Sequence, residues 1–417
     1  AYATRRVVPL VFLVVFCGAF LLYRQCNFAY SEKYLHVANQ NEQQLEQQAV
    51  ADRFGTNNIL AVLVPAGDYE SEINLLEALA ACDEVERATG LAGMEAMDGY
   101  RLGDPVGCEV FASLAGVDET TAQALFAYYG AEHGDYDAVT GDLKTYQVPL
   151  VDLFLFLHDK AATGDVPLTP EQLARINGLY DQLSMARRQL QGANYSRLVL
   201  TLNLPVEGDE AFSFIDRVHV LAAQYYDGSK VVTTGTLTNA YDFSKCFERD
   251  NMIVSLMSLL LVMVILLVTF RSFGMPLLLI LVIQGSIWIN FALTKLTGSY
   301  VFFMCYLIVS AIQMGANIDY AIVISSRYTE LRRRMAAREA MIETMSLAFP
   351  TIITSGMMMA IAGLLIGSMV SEPVISGIGL YVGTGTLITL VLVMFVLPQI
   401  LLFGEGFVTV SYTHLTL

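Results

Sequence analysis

One short stretch of this chain puts groups that could do chemistry where such groups are costly: Ser310-Ala-Ile-Gln313-Met-Gly315-Ala-Asn317-Ile-Asp319-Tyr320. It sits inside an apolar run, Tyr300–Ser325, long enough to cross a ~30 Å hydrocarbon layer. An ionisable side chain at that depth costs at least ~2.5–3.5 kcal/mol, so Asp319 must face protein or water rather than lipid. On a 3.6-residue helix Gly315 lies one turn from Asp319 on nearly the same face, leaving a groove where the carboxylate can approach a neighbouring helix. Tyr320 can donate to a shared water or partner group. Such a carboxyl can take a proton from one side and release it to the other as its surroundings change. A structural hydrogen bond between helices is the other reading.

Supporting polar residues fall nearby in sequence. Gln313 and Asn317 lie in the same run. Gln284, Trp288 and Asn290 in the preceding apolar run, and Thr351, Thr354 and Ser355 in the following one, are placed to face Asp319 and carry its water, or to pack helices together. Gly363-xxx-Gly367 and Gly379-xxx-Gly383 read as close-packing motifs. No cofactor and no metal is expected. The five His are scattered, and there is no CxxC, HExxH or Gly-rich phosphate loop. No nucleophile or acid pair stands at usable spacing either, so the chain does not read as an enzyme.

The elements that must position Asp319 follow from hydropathy. The chain is 55% hydrophobic and 15% charged, against about a quarter charged in soluble domains. Six runs predict transmembrane helices: Val7–Tyr23, Met252–Phe270, Met275–Leu293, Tyr300–Ser325, Thr351–Met369 and Val374–Phe403, the last with room for a tilt or a short re-entrant start near its glycines. Arg5 and Arg6 ahead of the first run would also suit a cleaved leader, but no small-residue cleavage site follows. With the N-terminus inside, short cytoplasmic segments carry Arg5, Arg6, Arg271, Arg327, Arg332, Arg333, Arg334 and Arg338, and the short outer loops only Lys295. Arg327–Glu343 is expected as an amphipathic helix on the cytoplasmic surface, its arginines meeting anionic lipid.

Residues 24–251 are then extracytoplasmic. They carry 15 Lys and Arg against 34 Asp and Glu, a balance of −19, which excludes nucleic acid as a partner. This segment reads as α+β. Asn58–Pro65 is a strand, Glu70–Ala81 a helix with Ile73, Leu75, Leu76 and Leu79 on one side, and Val85–Gly90 a returning strand. The order recurs with Arg197–Leu204, Glu210–Tyr225 and Lys230–Thr234. Two β-α-β units make a split βαβ sandwich. Between them Ala92–Gln191 predicts a helical insert, including Pro170–Leu190 behind a Thr169 N-cap. Cys26 and Cys246 flank the segment, and a bridge between them is conceivable. Its four cysteines, with Cys82 and Cys108, allow three pairings.

Gly315-Ala-Asn-Ile-Asp319-Tyr320, ahead of an Arg-rich segment, resembles the GxxxDY motif of the MMPL transporters in the resistance-nodulation-division (RND) superfamily. Other features are similar. One span, a large porter domain and five further spans is that superfamily's half-transporter plan. Thr234-Gly235 leading through Asp242 and Asp250 resembles the domain exit, and Ala348-Phe-Pro350-Thr-Ile-Ile-Thr354-Ser355-Gly356 resembles the opening of the fifth span. The resemblance implies a first transmembrane helix over 1–23 and an extracytoplasmic porter-like domain over 24–251. A five-helix transmembrane domain follows over 252–403, then a tail, 404–417, whose end fits neither a span nor a basic cytoplasmic tail. It implies Asp319 and Tyr320 as a proton-relay pair supported by Gly315, Asn317, Gln313, Thr354 and Ser355.

A full member has two such halves, and this chain resembles the C-terminal one. The expected function is therefore proton-driven export of a lipid or other hydrophobic molecule across the cell membrane. Its partners would be membrane lipids, the hydrophobic substrate, and a second RND-type half, either a preceding portion or another subunit. A sterol-sensing-like receptor on the same scaffold, or an accessory to protein translocation using the same relay, are the alternatives.

Overall fold

A computed structural model describes residues 7–35, 39–55, 58–97, 99–135, 145–166 and 168–404. Arg5, Arg6 and the tail beyond Gly404 lie outside the described residues. The chain forms two compact units, one of Ala1–Gly55 with Asp242–Leu417, the other Thr56–Tyr241. The first begins with α1 (Val7–Tyr23), β1 (Phe28–Ala29) and α2 (Glu42–Phe54). Helix α2 starts at a reciprocal capping box in which Asn41 and Gln44 each satisfy the other's backbone N–H.

The second unit is built on the two predicted β-α-β repeats: β2 (Asn58–Pro65), α3 (Tyr69–Ala80) and β3 (Val85–Thr89), then β8 (Tyr195–Leu202), α8 (Asp209–Ala222) and β9 (Val232–Gly235). The sheet order is β3-β8-β2-β9, with every neighbouring pair antiparallel. This is the split βαβ arrangement. Period-2 alternation buries Leu60, Val62 and Val64 of β2 and Leu198, Leu200 and Leu202 of β8 on one face, with Leu75 and Leu79 of α3 and Phe214, Ile215 and Val218 of α8. Gly235 closes β9 at φ 148°, where a Cβ would stand 2.6 Å from the Ile59 carbonyl oxygen, so only glycine fits.

The insert between the repeats holds β4 (Glu95–Met97), β5 (Tyr100–Arg101), β6 (Pro105–Val106), α4 (Cys108–Ala115), α5 (Glu119–His133), β7 (Val148–Pro149), α6 (Leu150–Thr163) and α7 (Pro170–Leu190). It has a core of its own around Phe111, Leu125, Phe126, Leu153 and Leu157, all fully buried. Tyr69 of α3 is part of that core and Ile73 of α3 packs against it, so the insert shares side-chain packing with the repeat that precedes it.

The remaining helices complete the first unit, α9 beginning in the second: α9 (Thr236–Phe270), α10 (Gly274–Thr297), α11 (Phe303–Arg332) after the short β10 (Val301–Phe302), α12 (Ala337–Met369) and α13 (Pro373–Phe403). Among the described residues these five helices are long and apolar enough to span a membrane. The expected sixth, α1, is an apolar helix of 17 residues, about 26 Å at 1.5 Å per residue. It lies along α10, its Phe12 and Phe16 closing on the small Gly285 and its Phe16 and Phe20 on Trp288, at ring-centroid distances of 4.8 and 4.6 Å.

Several expectations change here. No separate helix covers Arg327–Glu343: α11 runs on to Arg332 and α12 starts at Ala337. Arg327 and Arg332 thus end α11, Arg338 lies in the first turn of α12, and only Arg333 and Arg334 occupy the turn between the two long helices. The last span has no re-entrant start. Gly379 and Gly383 instead let α13 lie against Gly367 and Gly363 of α12, where a Cβ on Gly363 would sit 2.7 Å from the Gly383 nitrogen. Its irregularity comes later, a π turn over Leu392–Val396 just before Pro398, which has no N–H to continue the α ladder.

Residues 24–55 also belong with the membrane helices rather than with the second unit. Strand β1 pairs in parallel with β10, and Asn39 and Gln44 donate to the Met369 and Ser371 carbonyls between α12 and α13 at 2.8 and 2.7 Å. All six cysteines are free thiols. The conceivable Cys26–Cys246 bridge is not formed, because the Cys26 thiol donates to the Phe291 carbonyl at 3.0 Å.

Candidate functional site

Helix α11 carries the GxxxDY residues at its middle. Asp319 stands roughly 24 Å from the helix's first residue and 20 Å from its last at 1.5 Å per residue. Two stripes run along the helix. Val309, Gln313, Asn317, Tyr320, Ile324 and Tyr328 are buried, while Met304, Ile308, Ile312, Gly315, Asp319 and Val323 are exposed. A Cβ on Gly315 would meet no atom within 4 Å. The carboxylate and its glycine therefore share an open face, and among the described residues no hydrogen bond or ion pair engages Asp319. Tyr320, the next residue, turns the other way and packs into the core of the bundle.

The expected support residues are not gathered around Asp319. Gln313 and Asn317 lie on the buried stripe, where α10, α11 and α13 meet in a polar seam. Asn317 donates to the Thr389 hydroxyl at 2.9 Å, Thr389 to Ser286 at 3.0 Å, and Ser286 to the Ile283 carbonyl at 2.7 Å. A second group converges on one carbonyl: Asn290 and Gln313 both donate to the Tyr381 oxygen, at 2.9 and 3.4 Å, and Thr384 donates to the Asn290 side-chain oxygen at 2.9 Å. Gly385 makes this possible. A Cβ there would stand 1.2 Å from Gln313 Nε2 and 2.7 Å from Asn290 Nδ2. Gln313 Oε1 and Asn317 Oδ1 are buried and have no protein partner among the described residues.

Residues proposed to face Asp319 from other helices are engaged elsewhere. Trp288 packs among Phe16, Phe20 and Tyr23 of α1, and Asn290 belongs to the seam. Thr351, Thr354 and Ser355 lie on the exposed side of α12, and Thr354 donates back to the Pro350 carbonyl at 2.8 Å. The seam residues Ser286, Thr384, Gly385, Thr386 and Thr389 were not singled out from the sequence. The signal was present: three threonines and a Gly-x-Gly interrupting an otherwise apolar run.

The sequence pattern of the MMPL family matches residues 175–411, from within α7 through all five long helices. The chain belongs to the MMPL family. A membrane protein of Streptomyces coelicolor, ActII-3, is 32% identical over 185 residues, which make up 43% of this chain and 26% of that protein. Two crystal forms of a heavy metal efflux pump superpose with a TM-score of 0.49 at 13% and 12% identity, covering 97% of this chain and 48% of the pump's. The chain spans about half of the pump's length, and its match to ActII-3 covers about a quarter of that protein. With its family membership and five apolar helices, this MMPL chain is a multi-pass membrane protein.

Proposed function

We propose that this MMPL chain is one half of a proton-driven membrane transporter in which Asp319 is the titrating group. The observation that carries the reading is the open face of α11: a carboxylate mid-helix beside a glycine that leaves clear space. Left against lipid it would cost ~2.5–3.5 kcal/mol or more. A second membrane element must cover it, and a helix bringing its own polar group would complete a proton path. Tyr320 anchors the motif to the bundle, so that protonation changes at Asp319 bear on how α11 sits in it.

In this reading α1 is a sixth span, and its Tyr23 end leads to the outer side. The soluble unit is then the extracytoplasmic porter domain, the short Arg-rich turn between α11 and α12 is cytoplasmic, and the substrate is a lipid or other hydrophobic molecule. The split βαβ architecture supports it, as does the eight-to-one asymmetry of basic residues in the short loops. Protons moving inward would supply ~2.3 kcal/mol per charge per 100 mV.

The test is proton-dependent efflux from vesicles containing the full-length protein. Asp319→Asn keeps size and most hydrogen bonding but cannot ionise. It is expected to bring transport to background while expression and insertion are unchanged, and Tyr320→Phe to impair it partially. Undiminished, uncoupler-sensitive transport by the Asn variant removes Asp319 from the mechanism. Labelling of intact cells with an impermeant thiol reagent tests the orientation: a cysteine at Asp135 should react and one at Arg334 should not.

A further inference from the structure

A cavity of about 530 Å³ opens on the side of the membrane bundle, at the end where α11 and α13 begin and α12 finishes. Its volume falls in the range of ligand sites, roughly 300–1,000 Å³. Its floor is closed, with Phe302 and Cys305 buried and Gly377 beneath the Cys305 sulfur, where a Cβ would come within 3.2 Å of it. Its mouth lies between Ile361 and Leu365 of α12 and Leu380 of α13, all about half exposed on the apolar surface of the bundle. The phase outside that mouth is therefore hydrocarbon, and what enters sideways must be hydrocarbon too.

Tyr300, Ser368, Ser376 and Tyr381 are the hydroxyl-bearing residues of the lining, and the Tyr381 hydroxyl reaches the Tyr300 carbonyl at 3.5 Å. Leu35 of the 24–55 segment also lines the cavity, and the Asn39 and Gln44 bonds fasten that segment to the α12–α13 turn beside it. Glu372, the N-cap of α13, directly precedes the lining residue Pro373, its carboxylate accepting from the Ile375 amide at 2.6 Å, and among the described residues no Lys or Arg lines the cavity.

We propose that this cavity holds an acyl chain of a membrane lipid whose head group bears an ammonium, placed beside Glu372. An anionic head without a cation would face the Glu372 carboxylate with no Lys or Arg in the lining to balance it. The site uses none of the Asp319 chemistry and needs only that the bundle lie in a bilayer, so it can fail or stand independently of proton coupling.

The experiment uses the full-length protein in nanodiscs doped with either phosphatidylethanolamine or phosphatidylglycerol bearing a photoactivatable diazirine near the chain end. Adducts are mapped by peptide mass spectrometry after illumination. Phosphatidylethanolamine adducts are expected to concentrate on residues 300–308, 361–368 and 373–381, several-fold above the lipid-facing stretch 252–268 of α9. Ser368→Trp, which fills the mouth from an exposed position, should remove that excess and leave the α9 signal unchanged. Gly377→Leu fills the floor and serves as the second variant. Glu372→Gln should erase the preference for phosphatidylethanolamine over phosphatidylglycerol. Labelling no denser than on α9, or an excess that survives both filling variants, overturns the site. Equal labelling by the two lipids in the wild type overturns the head-group assignment. Asp319→Asn should leave every one of these signals in place.

Discussion

Asn317 and Asp319 sit two residues apart on α11 and face opposite sides of it: Asn317 donates to Thr389 inside the bundle, while Asp319 stands on the open face above Gly315. Two residues are about 200° around a helix, so the separation is built into the motif itself. One side of α11 is fixed by hydrogen bonds to α10 and α13, and the other, with Gly315 and Asp319, is open. The seam therefore sets the rotation of α11, and with it the direction in which the carboxylate looks.

The first prediction concerns how that rotation is fixed. Gly385→Ala drives a methyl into the Gln313 amide, which also holds the Tyr381 carbonyl. Overpacking of this kind costs about 1–3 kcal/mol. Gln313→Ala loses the hydrogen bond but vacates the space. The double variant should therefore be more stable than the sum of the two single losses, a coupling that a mutant cycle isolates. Thermal unfolding of the purified chain in detergent reads it. Strictly additive losses would mean that Gly385 and Gln313 do not form a joint.

Much of this was legible beforehand, and the failures have a common cause. Strand β2 lies at its expected bounds, Asn58–Pro65, because a β-branched and aliphatic alternation bounded by a turn has one good solution. Asp319 stood out because a charge in an apolar run is rare for a physical reason. Helical angles could also have separated Gln313 and Asn317 from Asp319, since only Gly315 lies near it around the helix. The sequence does not say which neighbour a face meets. Trp288 could equally have looked at α11 or α1, and the docking of residues 24–55 rests on the two-residue pairing of β1 with β10 and a few side-chain bonds, which leave no periodic trace.

A second prediction tests the insert. It has its own core, yet Tyr69 of α3 is buried in it and donates to Asp152 at 3.2 Å, while Glu72 of α3 accepts from the Ala92 amide at 3.0 Å. Deleting Ala92–Gln191 with a short Gly/Ser linker should thus leave a foldable split βαβ unit carrying an exposed aromatic ring and a buried carboxylate that has lost its Ala92 donor. The deletion alone should lower the melting temperature of the chain. Adding Tyr69→Ser and Glu72→Gln should recover most of the loss. If the triple change still aggregates, the insert is integral to the sheet.

Glu72 also predicts a pH dependence. It is 1% exposed, and burial raises its carboxyl above the ordinary 4.5, opposed by bonds from the Leu91 and Ala92 amides. The folded chain keeps this proton to higher pH than the unfolded one. The group's stabilising contribution is complete below the unfolded value and is lost as pH rises through the folded one. Glu72→Gln retains an acceptor for Ala92 and should flatten that slope, being at least as stable as wild type at neutral pH. Glu72→Ala leaves the amide unpaired and should cost about 1–3 kcal/mol at every pH. Pulse proteolysis of the full chain across the carboxylate range distinguishes them, and a wild-type slope retained by the Gln variant would assign the titration to another group.

The last prediction uses Gly315 to separate folding of this chain from completion of its site. A Cβ there would meet nothing within 4 Å, so among the described residues no contact requires glycine at this position. Gly315→Phe should change the stability of this chain by no more than about 0.5 kcal/mol, as for an exposed site. If a second half packs its helix across Asp319, the ring blocks that approach, because small residues are what let membrane helices come close. In the full-length protein the same substitution should abolish transport and weaken copurification of the other half when the two are expressed as separate chains. Gly315→Ala, which adds one methyl, should be intermediate. Full transport with Phe at this position would mean that the Asp319 face meets lipid or water in the working protein, and the carboxylate would then need a hydrated crevice rather than a partner helix.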